Sequence, residues 1–200
     1  MNYCGRCGER TQHIIPEGDT RMRFVCTQCQ HIFYENPRII AGCLPCFEDQ
    51  ILLCQRAIEP RKGKWTLPAG FLENGESIQD GAVRETMEEA NARVHSLELY
   101  TLFSLPHISQ VYMFYRAQLT DLNFFAGDES LAVKLCSEDE IPWDELSFPV
   151  VTDTLKCYLA DREKGTFPFR ERVVQPQWLT WRLDRSDIHR WPRARNDAAS

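Results

Sequence analysis

The sequence predicts an α/β fold in two parts, a small cysteine-stapled ribbon ahead of a larger domain. Three observations predict it. Two Cys-x2-Cys pairs, Cys4/Cys7 and Cys26/Cys29, stand eighteen residues apart near the N-terminus. Alternating, β-rich runs recur between Arg38 and Cys136. Two segments of helical periodicity, starting near Ile78 and Val150, interrupt and follow those runs. The expected parts are a ribbon over residues 1–35, the main domain over 36–165, and a C-terminal tail over 166–200.

Composition narrows the class. Of 200 residues, 43% are hydrophobic, ample for a buried core, and no apolar run approaches the roughly 18 residues that span a bilayer. The start, MNYCGRCGER, has no apolar signal-peptide core, and no membrane partner is expected. A net charge of −6 argues against general affinity for nucleic acid. Nine cysteines, spaced for metal rather than for disulfides, point to a reducing, cytoplasmic compartment.

In the ribbon, Cys4, Cys7, Cys26 and Cys29 have the spacing of a structural Zn²⁺ site. Four thiolates complete a tetrahedron, so His13 and His31 read as surface or structural residues. Pro16, Gly18 and Asp19 suggest a turn between two short strands. The segment is too short for a core of its own, so the metal would supply its folding energy. Tyr34–Pro37 is a linker, since proline drives the preceding residue out of helix.

Arg38–Phe47 and Gln50–Arg56 read as a hairpin about Asp49-Gln50. Cys43 and Cys46 resemble a Cys-x2-Cys pair, but on a strand they point to opposite faces. Cys54, Cys136 and Cys157 read as small buried hydrophobes. The loop Ala57–Lys64 carries Pro60 and the bases Arg61, Lys62 and Lys64 beside the strand Trp65–Ala69. Arg56, Arg61 and Lys64 are candidates to hold a substrate phosphate.

The stretch Leu67–Ala92 carries most of the chemistry. Ser77 with Asp80 caps a helix starting at Ile78, and Asn91 suits its end. Val83, Thr86, Met87 and Ala90 form a largely apolar stripe at helical spacing. Glu85, Glu88 and Glu89 fall on the opposite side, with Gly81 among them leaving room for an approach. Like charges so placed repel, and Arg84 is the one basic residue between Trp65 and Ala92. A hard divalent cation, Mg²⁺ or Mn²⁺, is the natural occupant.

Beyond it, Arg93–Leu105 and Ser109–Leu119 alternate as strands, with Tyr112 and Phe114 on one face as candidates to stack on a planar base. Gly127–Ser130 precedes a short strand, Leu131–Cys136, and Val150–Lys164 is a helix with Val151, Leu155, Tyr158 and Leu159 as its apolar face. The tail from Thr166 is rich in arginine and tryptophan (Trp178, Trp181, Trp191) without periodicity.

Gly70, Glu76 and Arg84-Glu85-Thr86-Met87-Glu88-Glu89 resemble the Nudix hydrolase signature G-x5-E-x7-R-E-U-x-E-E-x-G-U, with Thr86 for an aliphatic and Asn91 for the last glycine. The resemblance implies an α/β/α sandwich with a mixed sheet, metal bound by Glu85, Glu88 and Glu89, and a bracing Glu76–Arg84 ion pair. It also implies a further carboxylate from outside the helix, for which Glu129 is the candidate as ligand or base. A zinc ribbon ahead of such a domain is similar to two subfamilies. The NADH pyrophosphatases carry a motif like SQPWPFPxS, whereas Leu102–Gln110 here is LFSLPHISQ. The FAD pyrophosphohydrolase-like group is similar in Cys54–Arg61, Trp65–Phe71, Asp128–Ser130 and Ile141–Glu145, but has a second glutamate where this chain has Ala132. The resemblance implies hydrolysis of FAD to AMP and FMN, or of ADP-ribose, by a homodimer. The alternatives are an NADH or NAD-capped RNA pyrophosphatase and a non-enzymatic nucleotide-sensing regulator.

Overall fold

The computed structural model describes residues 1–175; residues 176–200, with Trp178, Trp181 and Trp191, lie outside them. Two compact units divide at Pro37/Arg38.

The first unit is a three-stranded antiparallel sheet of β1 (Thr11–Ile14), β2 (Arg23–Cys26) and β3 (Ile32–Phe33), with β2 central. Gly18 turns the chain at positive φ, and Asp19 accepts from the N–H groups of Thr20 and Arg21. His13 stacks on Phe24 and His31 lies edge-on to Phe33, so both histidines support the sheet.

The second unit is built on a mixed eight-stranded sheet. Its strands are β4 (Arg38–Phe47), β5 (Gln50–Arg56), β6 (Trp65–Thr66), β7 (Ala69–Phe71), β8 (Val94–Leu105), β9 (Gln110–Leu119), β10 (Ser130–Cys136) and β11 (Arg170–Val173). The main path runs β10-β5-β4-β9-β8-β11, with β6 paired to β5 and β7 to β4. The β4/β9 and β8/β11 pairs are parallel. The expected hairpin is present, with Phe47 opposite Gln50.

Helices α1 (Ile78–Ala90) and α2 (Pro149–Arg162) cover opposite faces. Alternation along β4 makes this visible. Ala41 and Cys43 pack with Ala82 of α1, whereas Leu44 and Cys46 join Val151, Leu155 and Tyr158 of α2 in the main core. The result is an α/β/α sandwich. Cys43 and Cys46 therefore serve two different cores, and Cys54, Cys136 and Cys157 are buried as expected.

One expectation needs correction. The buried side of α1 is not the stripe Val83, Thr86, Met87, Ala90. Met87 is 37% exposed, while Ala82, Thr86 and Ala90 pack inward together with Glu85 and Glu89. Small residues spaced by four allow the helix to sit close to the sheet, and the acids beside them are buried with them. Beyond Thr166 the described residues add β11, a parallel edge strand paired to β8.

Candidate active site

The site is assembled on α1 and the chain leading into it. Ser77 Oγ accepts from the Asp80 N–H at 3.1 Å, and Asn91 closes the helix in the left-handed conformation. These caps set the rotation of three glutamates. Arg84 braces two of them, donating to Glu85 and Glu88 through Nη1, each at 2.8 Å, and to Glu76 through Nε at 3.0 Å and Nη2 at 2.8 Å. It also donates to the Phe71 carbonyl at 3.1 Å, tying helix to strand. The Arg84 hydrogen bonds, helped by the Glu73 N–H, hold the Glu76 carboxyl down to about 2. Gly81 makes room for this brace rather than for a ligand: a side chain there would press on Leu72 and on Glu76.

Glu85 is 9% exposed, and its carboxylate occupies the space that a Cβ on Gly70 would fill. Burial raises its pKa against the pull of Arg84. Glu89 is 5% exposed, and its Oε2 is buried with no hydrogen-bond partner. Burial, with neighbouring Glu85 adding to it, pushes the Glu89 carboxyl up to about 8. A buried carboxylate oxygen without a donor costs stability. The donor set fits a hard divalent cation, which would satisfy that oxygen.

Glu129 reaches the same place from a loop held against the end of α1. The Phe125 N–H donates to the Ala90 carbonyl at 2.9 Å, and the Gly127 N–H donates to the Glu89 carbonyl at 3.0 Å. Gly127 lies so close to the Glu88 carbonyl that no side chain fits there. Glu85, Glu88, Glu89 and Glu129 then line one cavity of about 740 Å³. Ala132 follows an irregularity in the β10/β5 register and is not among its lining residues.

Of the expected substrate contacts, Arg56, Tyr112 and Phe114 line this cavity. Tyr112 and Phe114 stack at 6.3 Å between centroids. Arg56 donates through Nε to the Pro60 carbonyl at 2.9 Å, and its guanidinium lies over Phe148. Arg61 and Lys64 are not among the lining residues; the loop instead presents Ile58, Glu59 and Pro60. Arg61 sits at positive φ in the turn that returns the chain to β6. Sequence reasoning missed Phe71, His107, Gln110, Phe148, Val174 and Gln175, which also line the cavity. Position in LFSLPHISQ was the available signal for His107 and Gln110; Val174 and Gln175 offered none.

In the ribbon, the Sγ atoms of Cys4, Cys7, Cys26 and Cys29 all lie within 4.8 Å of one another. Separations of 3.4, 3.6 and 3.8 Å compare with the edge of about 3.8 Å in a tetrahedron of Zn–S bonds near 2.3 Å. The four thiols fit such an ion.

Comparison with known proteins agrees with this geometry. A family model described as the NUDIX domain matches residues 36–155, and one described as Nudix N-terminal, a zinc ribbon, matches residues 2–35. The crystal structure of a NUDIX hydrolase from Nitrosomonas europaea is 52% identical, with a TM-score of 0.85 over 88% of this chain and 100% of that one. A bifunctional NMN adenylyltransferase/ADP ribose pyrophosphatase from Francisella tularensis shares the fold, at 24% identity and a TM-score of 0.55 over 67% and 43% of the two chains. Among curated relatives, the NAD-capped RNA hydrolase NudC of Photorhabdus laumondii is 37% identical over 48% of this chain. The match spans 35% of that relative, about a third of its length.

Proposed function

The chain belongs to the NUDIX domain family, and from that membership we propose a metal-dependent hydrolase that cleaves the pyrophosphate of a nucleotide derivative. The favoured substrates are FAD, giving AMP and FMN, and ADP-ribose. One observation carries the reading. A single cavity is lined both by Glu85, Glu88, Glu89, Glu129 and Arg56 and by Ile40, Tyr112, Phe114 and Phe148. A diphosphate bearing a planar group needs both surfaces, and about 740 Å³ is the size of site such a molecule fills.

Glu85, Glu88 and Glu89 would hold Mg²⁺ or Mn²⁺. The ion supplies Lewis acidity, which lowers the pKa of a water and neutralises leaving phosphate. Glu129, which lines the same cavity, would take a proton from the attacking water. Arg56, held by Pro60 and Phe148, is the cation for a phosphate oxygen. Tyr112, partly buried, would offer its ring to a base, and Phe114, 1% exposed in the main core, backs that ring rather than meeting the ligand. Cys4, Cys7, Cys26 and Cys29 would hold a structural Zn²⁺, in a cytoplasmic homodimer.

The names of the curated relatives favour a second reading, hydrolysis of NAD-capped RNA. Two features weigh against it. Leu105, His107, Ile108 and Gln110 line the cavity, so the segment that lacks the NADH-pyrophosphatase pattern is part of the wall. The chain's net charge of −6 also opposes an extended polyanion. A regulator without catalysis would gain nothing from an orphaned, buried Glu89. Incubation with FAD, ADP-ribose, NADH and NAD-capped RNA, with products identified and with a chelator control, tests the reading. AMP released from FAD or ADP-ribose in a chelator-sensitive reaction supports it; turnover of capped RNA alone would replace it with the second.

A further inference from the structure

We propose that the segment Arg170–Gln175 is a clamped strap that completes the substrate cavity and selects among substrates, with Arg170 as its positioning residue. This deepens the functional reading above and rests on it. Val174 and Gln175 line the cavity together with Leu105, Tyr112 and Val151, although more than twenty residues separate them from any other lining residue in sequence. Something must therefore bring the chain back to the site and hold it there.

Hydrophobic burial along β11 itself is not that force. On β11, Glu171, Arg172 and Val173 are exposed and Arg170 alone is partly buried. The ladder to β8, from Arg170 opposite Thr101 to Val173 opposite Ser104, supplies direction and register. It continues as the Val174 N–H donates to the Ser104 carbonyl at 2.9 Å. The anchor is polar. Asp161, on α2, is 1% exposed and accepts from the Tyr100 hydroxyl at 2.6 Å. Both terminal nitrogens of Arg170 donate to the same carboxylate, Nη2 at 2.6 Å to Oδ1 and Nη1 to Oδ2. Such a bidentate pair is directional as well as strong.

The approach to the strand is held as well. Phe167 stacks on Tyr158 at 5.6 Å between centroids, and the Arg116 guanidinium lies 4.1 Å from the Phe167 ring centre. Arg170 also donates to the Pro168 carbonyl at 3.0 Å. The clamp thus sets where β11 begins, and the ladder carries that setting four residues on to the cavity. There Val174 adds an apolar surface that packs on the main core, and Gln175 adds a neutral donor and acceptor. A neutral amide distinguishes ligands by hydrogen bonding without attracting or repelling the diphosphate. Its target is a polar group on a non-phosphate part of the substrate, a ribose hydroxyl or a ring carbonyl.

The test has two arms on the full chain. Steady-state kinetics with FAD, ADP-ribose and NADH compare wild type, Gln175→Ala, Arg170→Gln and Arg170→Lys. Gln175→Ala should change the ratio of kcat/KM between two of the substrates by about tenfold, chiefly through KM. Arg170→Gln should do the same, and Arg170→Lys should recover part of the loss. Hydrogen exchange over residues 171–174 should quicken in Arg170→Gln while β4 and β5 stay protected. If Arg170→Gln fails to fold, the double variant Asp161→Asn/Arg170→Gln, which leaves no unpaired buried charge, takes its place. Unchanged substrate ratios in an active enzyme, or unchanged exchange over 171–174, would overturn the strap. Wild-type protein inert toward all three substrates would instead overturn the functional reading, and the selectivity claim with it.

Discussion

Gly70 and Glu129 show how much of the site depends on single atoms. The Glu85 carboxylate lies where a methyl on Gly70 would be. Gly70→Ala should therefore displace Glu85 and lower kcat by about 10²-fold, the scale of a misplaced catalytic group. Denaturant titration should show a much smaller change in stability. Glu129, an acid reaching the cavity from the loop before β10, should matter in a different way. Glu129→Gln should cost at least about 10²-fold in kcat if it takes a proton from water. Turnover within a few-fold of wild type at saturating Mg²⁺ would mean that the base lies elsewhere. At this scale the sequence was most informative for Glu85, Glu88 and Glu89, because their spacing on a capped helix defines one face. It was least informative for Arg61 and Lys64, since a charged loop does not reveal which side chains turn toward a cavity.

Helix α1 and strand β11 were legible to opposite degrees. The helix carries its signals locally: Ser77 and Asp80 at one end, Asn91 at the other, and both caps form as read. Its buried side was misread because a functional helix buries acids, which inverts the usual pattern of polar residues outside. Strand β11 has no such signals, being an edge strand with exposed side chains whose partner lies some seventy residues earlier. Its anchor makes a prediction about pH. Hydrogen bonds from Arg170 chiefly, and from Tyr100, hold the Asp161 carboxyl below its ordinary value. The native state therefore releases this proton more readily than the unfolded chain. The contribution is complete above the unfolded pKa of about 3.9 and is lost as pH falls through the lower folded value. Denaturant titrations of wild type and Asp161→Asn should differ by a constant amount from pH 8 to about 5. The difference should shrink below about pH 4, and a difference that grew on acidification would contradict the clamp.

The whole molecule divides its stability unevenly. In the ribbon only Cys4, Pro16, Val25 and Cys26 are buried, too few for a core, so removal of zinc with a strong chelator should unfold residues 1–37 and spare the protection of β4, β5 and α1. Hydrogen exchange reads both halves of that outcome, and loss of protection throughout would refute it. The larger unit has a core to spare and uses some of it for chemistry, holding Glu89 buried with an oxygen unpartnered. Its raised pKa means that, in metal-free protein, the native state holds a proton that the unfolded chain has released. Stability should fall as pH rises from about 4.5 toward 8. Glu89→Gln removes both the charge and that slope. The measurement that tests the account most directly is the kcat of Glu89→Gln with saturating Mg²⁺, taken alongside its unfolding midpoint without metal at pH 8. A metal-binding carboxylate predicts turnover lowered by orders of magnitude in a protein at least as stable as wild type. Near wild-type turnover in a destabilised protein would contradict it.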